Sequence, residues 1–115
     1  MQKDNNVKRE LVKLGLQPQH QGFDYLVYAI VAANDLSGKA SKTEAKLSEM
    51  LSGEYDEAET KLFRCMDYAI EVAWDDDDNI VLRELFPGRS EAFSPTVLEF
   101  IYRVGLEVAY HQDDK

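Results

Sequence analysis

The chain has 115 residues, enough for one domain with a buried core and too few for two ordinary ones. Its 44% hydrophobic and 30% charged residues are the balance of a globular protein, not a disordered one. Thirteen Lys and Arg stand against 22 Asp and Glu, a net charge of -9, so attraction to a polyanion is not built in and any nucleic-acid role must rest on a local patch. No stretch approaches the roughly 20 apolar residues needed to cross a bilayer, and no apolar signal core opens the chain. A single cysteine, Cys65, excludes an internal disulfide framework and a CxxC metal cluster. The expectation is a single cytoplasmic domain over 1–115, with no membrane partner, metal or cofactor.

Six helices and no strand are predicted, so the fold class is an all-α, six-helix bundle. Val7 to Leu14 carries apolar residues at helical spacing and is closed by Gly15. After a Pro- and Gln-rich turn, Phe23 to Ala33 is apolar almost all round, the pattern of a helix buried at the centre of a bundle. Asn34 to Gly38 is a break. A third helix over Ala40–Ser52 starts with Ser41 and Glu44 at capping-box spacing and ends at Gly53. Asp56 is the expected N-cap of a fourth helix reaching Trp74, with a buried face of Leu62, Cys65, Met66, Ala69, Ile70, Val72 and Ala73. Ile80 to Phe86 forms a short helix stopped by Pro87-Gly88. Ser94-Pro95 reads as an N-cap followed by proline at the first helical position, and the last helix runs to about Tyr110. The predicted core holds Leu26, Ile30, Leu47, Leu62, Met66, Ile70, Trp74, Leu82 and Phe100.

A helix, a short turn near Gly53 and a second amphipathic helix, over about 40–74, have the layout of a helix-turn-helix. The same geometry is also how small helical bundles connect. At 100° per residue, Glu57, Thr60, Lys61, Arg64, Asp67, Tyr68 and Glu71 share one exposed arc of about 120°. Lys61 and Arg64 are then the donors to guanine O6/N7 or to phosphate. Thr60 supports them, Tyr68 shares their face, and Lys39, Lys42 and Lys46 are expected to approach the DNA backbone. Charge works against this reading. Residues 54–80 hold ten acidic and two basic groups, the most acidic segment, whereas residues 1–22 carry a net +2. The acid lies at the segment's ends, leaving Lys61 and Arg64 between them, and with a screening length of about 8 Å a local basic contact is weakened but still open.

No other chemistry stands out, and nothing supports an enzyme. Asp75, Asp77 and Asn79 resemble the opening of a calcium loop, but Ile80 and Phe86 stand where Gly and Glu are required. His20 and His111 lie in no motif, and Cys65 reads as a small core residue.

Four stretches resemble one family. Ala69-Ile70-Glu71-Val72-Ala73-Trp74 looks like the end of the recognition helix in the C-terminal DNA-binding effector domain of the sporulation initiation factor (stage-zero sporulation protein A), a response regulator. Gly22-Phe23-Asp24-Tyr25-Leu26 with Ala29-Ile30, Leu85-Phe86, and Pro95-Thr96 with Glu99-Phe100-Ile101 are similar to three further family strings, in order, over about 8–110. The resemblance implies a sequence-specific DNA-binding transcription regulator acting on double-stranded DNA. It also implies a weak homodimer through the C-terminal helix and contact with RNA polymerase or another regulator. The chain carries no receiver domain, so phosphorylation is not expected to be its switch. Departures fall on the reading helix: Lys61 replaces Arg, Phe63 replaces an acidic residue and Asp67 reverses a basic one. Lysine cannot reproduce arginine's bidentate fork, which puts the family's own operator in doubt. The alternative is a protein-interaction module on the same scaffold. On the last helix, Tyr102, Gly105, Leu106 and Ala109 are the expected outward surface, with Gly105 permitting close approach of a second copy.

Overall fold

The computed structural model describes residues 2–35, 43–88 and 93–112, with side chains over 4–35, 45–88 and 93–109. It contains α1 (Gln2–Lys13), α2 (Gln21–Asp35), α3 (Thr43–Tyr55), α4 (Glu59–Trp74), α5 (Ile80–Leu85) and α6 (Val97–Gln112), with no strand among the described residues. The fold is all-helical. Because α2 has apolar residues on nearly every side, it can be satisfied only from the middle, and α1, α3, α4 and α6 all pack on it. The nine core residues expected from the apolar pattern are all buried, none more than 2% exposed.

α2 crosses α4 at close range at Gly22. A β-carbon there would collide with the carbonyl of Cys65 and stand 3.0 Å from the Met66 Cα, so α2 and α4 meet backbone to backbone. Gly105 plays the corresponding part on α6. It is buried, its carbonyl accepts from Asn34 Nδ2 at 3.2 Å, and a β-carbon would sit 2.8 Å from Asn34 Oδ1. The expectation that Gly105 faces outward is corrected: the close approach is to α2 within the chain. Tyr102 and Leu106 remain exposed and Ala109 is half-buried.

Several element ends differ from expectation. Gly53 lies inside α3, which runs on to Tyr55. The Tyr55 ring seats edge-on against Tyr25 at 4.7 Å and Tyr28 at 5.8 Å, and its hydroxyl donates to the Asp24 carbonyl at 3.3 Å. Those contacts outweigh the roughly 1 kcal/mol that a mid-helix glycine costs. Asp56 is not the cap of α4. It takes the left-handed turn with φ 52°, and Ala58 occupies the cap position without a side-chain bond. The expected Ser41–Glu44 capping box lies outside the described side chains. On α6 the cap is Thr96, not Ser94. Thr96 N–H donates to Glu99 Oε1 at 2.9 Å while Glu99 N–H donates to Thr96 Oγ1 at 3.2 Å, a box that needs Glu three residues on, where Ser94 has only Val97.

Asn79 ties three elements together. Its Oδ1 accepts from Leu82 N–H at 3.1 Å and caps α5, while its Nδ2 donates to the carbonyls of Leu14 and Ala73 at 2.8 and 2.9 Å. The ends of α1 and α4 and the start of α5 are thereby fixed around one side chain, and Gly15 makes room for it at φ +91°.

Candidate nucleic-acid interface

α3 and α4 pack against each other across the short turn Asp56–Ala58, an arrangement consistent with a helix-turn-helix. The turn lies about three residues later than predicted, for the reasons given at Tyr55 and Asp56. Ser52 Oγ closes it by donating to the Glu57 carbonyl at 2.7 Å. On α4 the buried stripe is Leu62, Met66, Ala69, Ile70, Ala73 and Trp74. Cys65 and Val72, expected in that stripe, are only half-buried, at its edges. Burying this stripe against α2 sets the helix's rotation, and the opposite side is left to solvent.

That outer side presents Thr60, Lys61, Arg64, Tyr68 and Glu71 as exposed residues, with Asp67 half-buried among them. Lys61 and Arg64 are adjacent on the helix at i and i+3. Lys61 Nζ donates to Glu57 Oε2 at 3.0 Å. That hydrogen bond, reinforced by the Glu57 charge, holds the ammonium above its ordinary range, so Lys61 is charged at neutral pH. Arg64 makes no ion pair or hydrogen bond with any described residue.

One turn further on the sign reverses. Glu71 is pushed above the usual carboxylate range, first by partial desolvation, then by the charge of Asp67, its hydrogen bond to Asp67, and Asp75. This acid sits toward the C-terminal end of α4, the negative end of the helix dipole, where carboxylates are disfavoured. The same exposed face is basic at its N-terminal end and acidic at its C-terminal end.

Thus four expected site residues, Thr60, Lys61, Arg64 and Tyr68, are brought onto one face. Lys46 is exposed on α3, with Nζ 3.7 Å from Glu49 Oε1. Lys39 and Lys42 lie outside the described residues. The structure adds neighbours that the sequence did not single out. The turn between α1 and α2 lies beside α4, and the His20 ring packs against Tyr68 with centroids 5.4 Å apart and planes tilted by 50°. The only signal for this was Gly22, whose missing β-carbon lets the turn come so near. No helix among the described residues is long and apolar enough to cross a membrane.

A family model described as sporulation initiation factor Spo0A C terminal matches residues 7–108. No curated protein matches the chain. The family match runs from within α1 to within α6 and takes in the whole α3–α4 pair. The chain therefore belongs to the Spo0A C-terminal family, the DNA-binding effector domains of a sporulation regulator.

Proposed function

We propose that this domain binds double-stranded DNA sequence-specifically and acts in transcription regulation in the cytoplasm. The observation that carries the reading is the shared exposed face of Thr60, Lys61, Arg64 and Tyr68 on the second helix of the α3–α4 pair. A helix in the major groove meets base edges with its N-terminal half, which is where this face is basic. Arg64 has no bond among the described residues and can offer its donors to a guanine edge or a phosphate, and Lys61 reaches the same groove once it exchanges Glu57 for DNA. Lys46, with Lys39 and Lys42, would meet the backbone. The exposed Tyr102 and Leu106 on α6 support a weak homodimer, formed when two copies share one DNA, where tethering raises the effective concentration. RNA polymerase or another regulator would be met on surfaces away from the DNA.

Titration against duplex DNA at several salt concentrations tests the reading. Affinity should fall with salt on a log–log slope of about -0.9 per phosphate neutralised. Lys61→Ala with Arg64→Ala should weaken binding by roughly 100-fold, from two contacts worth about 1–3 kcal/mol each. A second reading, a protein-interaction module, is favoured by one observation, the acidic half of the same face at Asp67 and Glu71. It requires no binding at low salt and no effect of the double variant.

A further inference from the structure

α2 is buried on nearly every side, and the stripe it leaves open runs through Asp24, Tyr28, Val31 and Asp35. At 1.5 Å per residue that stripe is about 16 Å long. α1 and α3 border it and leave a groove of about 490 Å³ between them. Tyr28, Val31, Met50 and Tyr55 give the groove its apolar lining, each packed against the core on one side and half-open on the other. The Tyr55 ring is seated on Tyr25 and Tyr28 and its hydroxyl is tied to the Asp24 carbonyl, so the α3 wall is held in place. The rim is acidic. Asp24 and Glu54 flank Tyr55, and their charges, after burial, push its hydroxyl above the ordinary range. Asp4 reaches the groove from α1, where Lys8 is the one described cation of the lining. The carboxylates of Asp4, Asp24 and Glu54 make no ion pair or hydrogen bond with any described residue.

We infer that this groove docks a basic amphipathic helix of a partner protein, its apolar side chains against Tyr28, Val31 and Met50 and its Lys or Arg toward Asp4, Asp24 and Glu54. Recognition of a helix in a groove needs an apolar floor for anchors at i, i+3, i+4 and i+7. Those two turns span about 11 Å, within the length of the open stripe on α2. The floor alone would accept any apolar segment, and it is the rim that selects. Unpaired carboxylates repel an acidic helix or DNA and attract a basic one, and they fix its orientation more than they add affinity. Met50, unbranched and polarisable, can follow the shape of the side chains laid against it. No lining residue belongs to the Lys61 and Arg64 face of α4, so the groove is a second surface, separate from the one assigned to DNA.

The test uses the full chain and a synthetic Leu/Lys amphipathic helix of about 18 residues, longer than the length at which isolated helices are marginal. A Leu/Glu helix, and a Leu/Lys peptide of the same composition with its apolar face scrambled, are the controls. Calorimetric titration should show one-to-one binding of the Leu/Lys helix and of neither control. With methyl-labelled methionine, the Met50 resonance should move on binding while that of Met66, fully buried on α4, stays in place. Asp24→Asn with Glu54→Gln should weaken binding by about 5-fold, the size expected from two exposed charge pairs. Val31→Ser should weaken it by about as much through the lost apolar contact. Asp75→Asn with Asp78→Asn removes the same charge away from the groove and should leave binding unchanged, with thermal melts showing each variant folded. Equal weakening by the Asp75 and Asp78 pair would reduce the effect to net charge and overturn the site. A Met50 methyl that does not move, full affinity in Val31→Ser, or no binding of the Leu/Lys helix would each overturn it too. So would self-association in sedimentation that Glu54→Lys abolishes, which gives the groove to a second copy of the chain. None of these results depends on DNA binding by α4.

Discussion

The two ends of the exposed face of α4 are built on the same helix, over the same buried stripe, yet they are electrostatic opposites. At the N-terminal end, Lys61 and Arg64 project from a segment whose back is clamped to α2 at Gly22. At the C-terminal end, partial desolvation and then the neighbouring Asp67 make Glu71 resist ionisation, and no basic residue stands in the last turn to offset the helix dipole. The first half is thus held rigid where contact with an anion is favourable, and the second carries charge that opposes both the anion and the helix. The difference teaches that a strongly acidic chain can keep two cations on an exposed helix face even with acid close by, Lys61 paired to Glu57 and Arg64 one turn before Asp67.

Breaking the backing of the basic half should have the largest effect. Gly22→Ala forces a β-carbon into the Cys65 carbonyl, so the α2–α4 crossing must open. The expected loss is about 3 kcal/mol of stability, read as a lower urea midpoint at unchanged m-value. Retention of wild-type stability would show that the crossing is loose. The next effect sharpens the electrostatic contrast. Asp67→Arg extends the basic end by one turn and removes the like charge facing Glu71, and DNA affinity should rise by roughly 10-fold with a steeper salt slope. An unchanged slope would mean that this turn of α4 does not approach DNA.

The smallest effect isolates the repulsion within the acidic half. The folded-state pKa of Glu71 is raised, so the fold favours its protonated form. That contribution is present below the ordinary carboxylate pKa and is lost as pH rises through the raised value. Glu71→Gln should therefore be more stable than wild type at neutral pH, by a few tenths of a kcal/mol for a like-charged pair at i and i+4. The advantage should vanish near pH 4, where wild type carries the proton itself. Thermal melts of both proteins across this range check it, and an advantage that persists at low pH would assign the effect to helix propensity instead of charge.

The helices and the inward faces of α2 and α4 were legible in the residues because apolar periodicity is a local property of the chain. The arc holding Thr60, Lys61, Arg64 and Tyr68 followed from the same periodicity, since whatever faces away from Leu62, Met66 and Ile70 must face solvent. Boundaries were less legible. Gly53 reads as a stop, but the decision lay with Tyr55, whose ring is received by Tyr25 and Tyr28 about thirty residues earlier. Once α3 continues to Tyr55, Asp56 must take the left-handed turn and cannot cap α4.

What the residues determined alone was therefore the number of helices, the composition of the core, the outward face of α4 and the uneven placing of acid and base along it. Each depends on neighbours within a few turns. The tertiary structure alone decided what Gly22 and Gly105 are for. Gly22 brings the α1–α2 turn against Arg64 and Tyr68 and so makes a cleft from segments more than forty residues apart. Gly105 brings α6 onto Asn34 across 71 residues of sequence, so this one position of an expected outward surface faces inward. A glycine carries no side chain to announce its partner, so its role is written only in what comes close to it.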